Sequence, residues 1–222
     1  MADLDYLMPE DPASLSPQET AKKQITIDIL TGEIRPGQRL IESKLCERFG
    51  LSRPPLREII NQLAAEGFVD LIPNRGAFAA TFDSRILNDI LFLRNLLYPQ
   101  AVHWAIERIT SDEFESLMET FNFISFYTPT GDIGKLRRFG IAFDQIVYKA
   151  CKDPEIQRSL EKYDMIVQCS FANAVMPMNY PESLLSEYKA IYDAFVSRNA
   201  SVGAEAARMH MFYSTLRIRR KV

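Results

Sequence analysis

Two arginines, Arg53 and Arg57, lie four residues apart where a helix is predicted to begin. Side chains at that spacing share one helix face, and two like charges there repel each other. The positions three and four residues from Arg57 hold no acid that could pair with it on its own helix. Because an arginine fork can donate two hydrogen bonds to guanine in the major groove, the pair predicts a DNA-reading surface. The alternative is that both are solvated surface arginines.

Three further positions extend this predicted surface. Arg35 precedes the turn residue Pro36 and is placed to reach a phosphate or a base. Arg75 and Gly76 lie at a predicted hairpin tip, and a narrow minor groove attracts arginine. The complete predicted DNA-contacting set is Arg35, Ser52, Arg53, Arg57, Arg75 and Gly76.

Periodicity and turn signals predict the elements that must position these residues. The segments are helices over 19–32, 43–49 and 53–66, a short extended piece over 39–41, and strands over 68–72 and 77–80. Ser43 and Ser52 are the predicted N-caps of the second and third helices. Prolines suit the first turn of the third helix, where a missing N–H leaves nothing unpaired. This order of elements is that of a winged helix-turn-helix.

The strand signals vanish after about Asp83. Apolar-periodic helices are predicted over 84–109, 112–126, 133–151, 154–175, 182–197 and 200–218. Pro99 lies inside the first of these and is expected to kink or divide it. The predicted fold is therefore mainly α. It consists of a flexible tail over 1–18, a winged helix-turn-helix over 19–82 and an all-helical bundle over 83–222.

Composition narrows the class of protein. The chain of 222 residues carries a net charge of −3, but the segment 35–75 has seven basic and five acidic residues, so it is +2 and the remainder −5. The three cysteines are far apart and lack CxxC spacing, which argues against a disulfide framework or a zinc knuckle. Residues 1–18 do not resemble a signal peptide, and no apolar run is long enough to cross a membrane. We expect a cytoplasmic protein with no membrane partner.

Few residues suit catalysis. The two histidines, His103 and His210, are far apart, and no P-loop, GxGxxG or Ser-His-Asp order is present. The protein is expected not to be an enzyme. Two alternatives stay open for a DNA-binding chain: a regulator that responds to a small molecule, and a ligand-independent repressor with a degenerate effector domain.

The sequence resembles a known family over its N-terminal third. The matching stretches are Ile34–Glu42, Leu45–Glu58 and Leu63–Val69. They resemble the GntR family of bacterial regulators, and the helical remainder resembles the FadR-type branch with its FCD effector domain. The resemblance implies a homodimer on a palindromic DNA operator, contacted at Arg35, Arg53, Arg57 and Gly76. Pro54 departs from the family, which usually has a small hydroxyl residue there, so a phosphate contact is lost.

FCD domains commonly bind a divalent metal through one aspartate and three histidines. The matching positions here are Gly140, Asp144, Tyr188 and His210, of which only His210 is retained in kind. Two strong ligands do not make a closed transition-metal site. We therefore expect no metal or other cofactor, although Asp144 and His210 could hold a weak ion. The alternative for His210 is a core histidine bonded to Asp144 or Tyr188.

Arg94 lies in the first bundle helix among leucines and a phenylalanine, where a charge is costly unless it is paired. It resembles the cavity-facing arginine of many FCD domains. We expect it to anchor the carboxylate of a small-molecule effector, the alternative being a snorkelling or salt-bridged arginine. The predicted effector-binding residues are Arg94, Asp144, Tyr188 and His210. Weaker candidates for lining the site are Gln168, Cys169, Asn173 and Tyr213.

Overall fold

The computed structural model describes residues 15–170 and 179–219, which form two compact units, one ending at Leu87 and the other starting at Asn88. The elements are α1 (Pro17–Thr31), α2 (Glu42–Phe49), α3 (Arg53–Ala65), β1 (Val69–Ile72), β2 (Gly76–Ala79), α4 (Ser84–Arg108), α5 (Ser111–Tyr127), α6 (Ile133–Ala150), α7 (Pro154–Ser170), α8 (Tyr180–Val196) and α9 (Ala200–Arg219). The predicted mainly α fold, with an N-terminal winged helix-turn-helix and a helical bundle, is confirmed. Two weaker candidates for the effector site, the side chain of Cys169 and Asn173, lie outside the described residues.

Local signals start and stop the helices of the first unit. Ser16 and Glu19 form a reciprocal capping box at the start of α1, and Gly32 ends that helix in the left-handed conformation. The prediction that Ser43 is the N-cap of α2 is wrong, because Ile41 occupies that position. The chain leaves an extended segment at Ile41, whose carbonyl accepts the first helical hydrogen bonds, so α2 begins one residue earlier at Glu42.

The helix-turn-helix proper joins α2 to α3 through Gly50, which has a positive φ of 64°. Ser52 occupies the N-cap position of α3, but its side chain makes no capping hydrogen bond. Leu56, Ile59, Ile60 and Leu63 bury one face of α3, which leaves the face with Arg53 and Arg57 exposed. The hydrophobic spacing of α3 therefore sets which of its residues can meet a partner.

The hairpin is antiparallel, with Val69 opposite Ala79 and Ile72 opposite Gly76. The segment before α2 lies along its outer edge. Arg39 forms an isolated bridge with Phe78, and the N–H of Leu40 donates to the carbonyl of Ala77 at 2.9 Å. This edge segment fixes the chain between α1 and α2 to the hairpin.

The second unit is a bundle of α4–α9 around one apolar core, in which Tyr98, Phe143, Tyr148 and Ile191 are essentially inaccessible to solvent. Pro99 does not divide α4, which runs unbroken from Ser84 to Arg108. Tyr98, Pro99 and Ala101 are buried although Gln100 is exposed, so packing of one face holds the two halves together despite the missing donor. A Cβ at Gly203 of α9 would lie 2.2 Å from the terminal methyl of Ile106 of α4, so the glycine lets the two helices pack closely without displacing that side chain.

Candidate functional site

Arg53, Arg57 and Ser52 are all exposed at the start of α3. Arg57 has an acidic partner on a different helix: its Nε lies 3.0 and 3.2 Å from the two carboxylate oxygens of Glu42 on α2. The helix-turn-helix geometry thus supplies the acid that was missing from α3 itself. An exposed pair of this kind is worth only about 0–1 kcal/mol. It can orient Arg57 and still yield to a stronger anionic partner.

The other predicted DNA-contacting residues surround the hairpin. Arg35, Arg75 and Gly76 are exposed, and Gly76 has a φ of 101°, which favours glycine at this turn. The guanidinium of Arg75 lies 5.7 Å from the centre of the Phe78 ring. Within residues 15–170 and 179–219, no carboxylate lies within ion-pair distance of Arg35, Arg53 or Arg75. By contrast, Arg48 on the same unit pairs with the buried Asp28.

A cavity in the helical unit has about 670 Å³ of space free of protein atoms, including solvent at its mouth. Its lining includes all four predicted effector-binding residues, Arg94, Asp144, Tyr188 and His210, together with Gln168. Tyr213, a weaker candidate, is 41% exposed and is not among the lining residues. The helices α4, α6, α8 and α9 therefore bring together residues separated by as many as 116 positions in the chain.

Asp144 is the buried carboxylate of this cavity. The hydroxyl of Tyr98 donates to its Oδ1 at 2.6 Å, and the hydroxyl of Tyr188 donates to its Oδ2 at 3.2 Å. Burial raises the pKa of Asp144 to about 6, although the nearby imidazole of His210 and the Tyr98 hydrogen bond act to lower it. Burial likewise raises the pKa values of Tyr98 and Tyr188 well above the usual range, so both phenols stay neutral donors.

Tyr188 occupies the space that a side chain at position 140 would need. A Cβ built on Gly140 would lie 2.9 Å from the Tyr188 hydroxyl and 3.3 Å from its ring. Glycine at 140 and tyrosine at 188 are therefore structurally complementary. Positions 140 and 188 match metal-ligand positions of FCD domains, but here neither holds such a ligand. The Tyr188 phenol donates a hydrogen bond to Asp144 instead.

The remaining donors do not fit a transition metal. Among the residues that the structure describes, no group of three or more His, Cys, Asp or Glu side chains could hold an ion. Asp144 and His210 alone would leave most of the coordination sphere to solvent or ligand. Of the four positions 140, 144, 188 and 210, Tyr188 and Asp144 are hydrogen-bonded to each other, and His210 supplies the one imidazole.

His210 is held by an acid that the sequence analysis did not select. Its Nδ1 lies 2.8 Å from Oε2 of Glu187, rather than against Asp144 or Tyr188 as we had suggested, although its ring lies 4.8 Å from that of Tyr188. Arg217 donates to both oxygens of Glu187, at 2.6 and 2.8 Å. Burial opposes ionisation of Glu187, but the bonds from Arg217 and His210 outweigh it and lower its pKa to about 2.

Arg94 is buried, with 4% of its surface exposed, and it faces the cavity. Its Nε donates to Asp164 on α7, which also accepts a hydrogen bond from Tyr148. Its Nη1 lies 3.3 Å from the hydroxyl of Ser214 on α9. Arg94 is therefore salt-bridged inside the bundle at the same time as it lines the cavity.

Sequence reasoning missed four residues of this centre: Tyr98, Asp164, Glu187 and Arg217. A partial signal existed for two of them. Tyr98 lies four residues after Arg94, on the same helix face, and Glu187 immediately precedes Tyr188. Asp164 and Arg217 carry no such signal, because charged residues on polar helices usually face solvent.

Residues 17–79 match the family described as bacterial regulatory proteins, gntR family, and residues 89–212 match the FCD domain. The two matched regions correspond to the helix-turn-helix with its hairpin and to the helical bundle.

Several individual bacterial proteins are similar to this chain. The galactonate operon transcriptional repressor of Escherichia coli is 25% identical over 213 residues, which cover 86% of this chain and 92% of the repressor. The Nta operon transcriptional regulator of Aminobacter aminovorans is 39% identical over 85 residues, 38% of this chain and 40% of that protein. Among solved structures, E. coli McbR/YncC has a TM-score of 0.74 at 19% identity, covering 93% of this chain and 99% of its own, which shows a common fold. No helix in the described part of the chain is long and apolar enough to span a membrane.

The buried carboxylate makes a prediction about stability and pH. An unfolded aspartate has a pKa of about 4, whereas that of Asp144 is raised to about 6 in the fold. The folded state therefore binds more protons between these values, so Asp144 lowers stability as the pH rises through that window. Relative to Asp144→Asn, the wild type should lose on the order of 2 kcal/mol between about pH 4 and pH 6.5.

Urea unfolding of both proteins across this pH range measures the difference. The two proteins differ only at position 144, so the difference between their pH profiles reports the substituted carboxyl group. A free-energy difference that is constant or rises with pH would show that Asp144 does not have a raised pKa.

Proposed function

This chain belongs to the GntR family of bacterial transcriptional regulators and carries an FCD effector-binding domain. From that premise we propose that it acts as a homodimer on a palindromic operator and responds to a small carboxylate effector bound in the bundle without a metal. The single observation that carries the DNA contact is the set of exposed arginines around α3 and the hairpin. In the described part of the chain Arg35, Arg53 and Arg75 have no acidic partner, and Arg57 has only an exposed pair with Glu42.

Operator recognition follows from the exposed start of α3. In a helix-turn-helix the N-terminal residues of the second helix meet base edges in the major groove. Arg53 and Arg57 are the two exposed arginines there, and Ser52 is exposed beside them. Arg57 exchanges Glu42 for guanine, while Arg75 and Gly76 at the hairpin reach the minor groove. Arg35 binds a phosphate or a base from the turn after α1.

We propose that a second copy of the chain packs against an apolar face of the helical unit. Seven large apolar side chains are exposed on the neighbouring helices α4 and α9: Phe92, Leu93, Leu96, Met209, Phe212, Tyr213 and Leu216. The two helices are joined by hydrogen bonds from Arg94 to Ser214 and from Thr215 to Asn95. A standard interface buries about 800 Å² on each partner, and we propose that these side chains form the apolar centre of such an interface.

The cavity favours an anionic effector. Among the described residues, the lining includes three arginines, Arg94, Arg137 and Arg217, and one carboxylate, Asp144. An arginine fork binds a carboxylate through two parallel hydrogen bonds. The relative from E. coli is named for the galactonate operon, and galactonate is a carboxylate. We propose that the effector's carboxylate meets Arg94, and that Asp144, Tyr188 and His210 contact the rest of the molecule.

We further propose that no metal or cofactor takes part and that the protein catalyses no reaction. The Tyr188 hydroxyl donates a hydrogen bond to Asp144, at the place where a metal ion would otherwise bind that carboxylate. The relatives are named as transcriptional regulators and repressors, in keeping with binding rather than catalysis. As a regulator of bacterial genes the protein would act in the cytoplasm.

Effector binding changes DNA affinity by favouring one arrangement of the bundle over another. Arg94 and Asp164 join α4 to α7, so an effector that shares Arg94 with Asp164 would loosen that connection. Because α4 begins at Ser84, only a few residues after the hairpin, a shift of α4 is a direct route to the operator-binding unit.

One observation favours the second candidate function, a ligand-independent repressor. The polar groups of the cavity already satisfy one another: Arg94 with Asp164, and Asp144 with two tyrosines. A ligand that binds such a cavity has to break existing ion pairs, so it gains less binding free energy than it would from unpaired charges. In that case the cavity would be a structural remnant.

Selection from a random pool of duplexes tests operator recognition. The wild type should enrich a short palindrome with a fixed spacing, because two copies present two α3 helices. Arg57→Ala should lose about 1–3 kcal/mol of discrimination at one base pair in each half-site. The matched control, Arg158→Ala, removes an exposed arginine of α7 and should select the same palindrome as the wild type. A wild-type pool without any enriched sequence would contradict the proposed function.

Calorimetry with sodium galactonate, citrate and acetate tests the effector site. At least one of these should bind the wild type, and Arg94→Ala should weaken that binding by tenfold or more, as expected for a charge-assisted pair (about 1.5–3 kcal/mol). Asp164→Asn keeps Arg94 but removes its internal partner, so it should bind the same anion more tightly.

Equal binding by the wild type and Arg94→Ala would remove Arg94 from the site. Binding of no carboxylate by either the wild type or Asp164→Asn would favour the ligand-independent repressor.

A further inference from the structure

Arg39 lies at the hairpin although neither the motif nor the spacing singled it out. It belongs to the extended segment before α2, which runs along β2: Arg39 bridges Phe78, and the N–H of Ala79 donates to the carbonyl of Gln38 at 2.9 Å. These backbone bonds hold Arg39 in register with the outer strand of the hairpin. Its side chain is exposed.

The guanidinium of Arg39 reaches the turn of the hairpin. Its Nε and Nη2 lie 3.4 Å from the point where a Cβ would stand on Gly76. The φ of 101° at Gly76 closes the turn, and a Cβ there would be in ordinary van der Waals contact with the Arg39 guanidinium. Two arginines, Arg39 and Arg75, thus flank the same glycine.

No acid neutralises Arg39 in the described part of the chain, residues 15–170 and 179–219. Asp70 is the acid that comes nearest in register, since it pairs with Phe78 from the other strand, yet it forms no ion pair with Arg39. Two unpaired arginines beside one turn repel each other and raise the local positive potential. An anion is the partner that relieves this arrangement.

We infer that Arg39 is a further DNA-contacting residue, which binds a backbone phosphate next to the hairpin and positions it on the duplex. The inference rests on the proposed operator binding and extends it. A phosphate fits better than a base edge, because Arg39 is held against the side of the hairpin and its guanidinium stays at Gly76. Phosphate contacts fix register and orientation without reading sequence.

Arg39 and Arg57 would therefore make different kinds of contact, Arg39 with a phosphate and Arg57 with a base. Loss of a phosphate contact weakens binding to all sequences alike and lowers the salt dependence, whereas loss of a base contact relaxes preference at one position. Arginine can also bind phosphate through two hydrogen bonds, which lysine cannot reproduce.

The experiment measures binding to two labelled duplexes, the selected palindrome and a scrambled version, by fluorescence anisotropy at several salt concentrations. Arg39→Gln should bind both duplexes more weakly by the same factor. The slope of log affinity against log salt should fall by about 0.9 for each phosphate contact removed, hence about twice that for a dimer. Arg39→Lys should recover the slope but only part of the affinity. Arg158→Gln, which removes an arginine from α7, is the matched control and should behave as the wild type.

The outcomes separate the two ideas. If the wild type binds the palindrome no better than the scrambled duplex, the proposed function fails. If the wild type discriminates and Arg39→Gln keeps its affinity and salt slope, the inference about Arg39 is wrong. A loss confined to the palindrome would assign Arg39 to a base edge and overturn the phosphate assignment. Because Arg39 is exposed, an unchanged circular dichroism spectrum and melting temperature should accompany its substitution.

Discussion

A carboxylate in the interior of a helical bundle must be compensated, and the arrangement around Asp144 follows from that requirement. Two phenols donate to its two oxygens, Tyr98 from α4 and Tyr188 from α8. A Cβ at position 140 would lie 2.9 Å from the Tyr188 hydroxyl, so the glycine there leaves room for that hydroxyl beside Asp144. Even with these bonds, burial leaves the pKa of Asp144 near 6. The helices α4, α6 and α8 are thus tied together through a charge that the fold tolerates only with this set of neighbours.

A second layer of ion pairs surrounds that carboxylate. Arg94 connects α4 to Asp164 of α7, while Arg217 and His210 of α9 share Glu187 of α8. Removing one member of such a buried pair leaves the other uncompensated, which typically costs about 3–5 kcal/mol. The proposed anionic effector would add a charge to this network and compete with Asp164 for Arg94.

The sequence predicted the elements well and their long-range partners poorly. The helices could be located from helical periodicity and from local start and stop signals, which act within a few residues. These signals include Gly32, Gly50 and the prolines of α3. The start of α2 was wrong because the preceding edge segment, held by a hairpin almost 40 residues later, decides it. Arg94, Asp144, Tyr188 and His210 do line one cavity, yet Asp164 lies 70 residues from Arg94 and Glu187 lies 23 from His210. Neither pairing leaves a local trace in the chain.

The claim that the effector centre is built on hydrogen bonds instead of a metal can be tested by elemental analysis. Protein purified without a histidine tag and dialysed against zinc or manganese should hold far less than one metal per chain. The double variant Gly140→Asp with Tyr188→His, which restores two ligands, should gain metal under the same conditions. Close to one metal per wild-type chain, lost on His210→Ala, would contradict the account, because the tyrosine-bound carboxylate would then be a metal ligand after all.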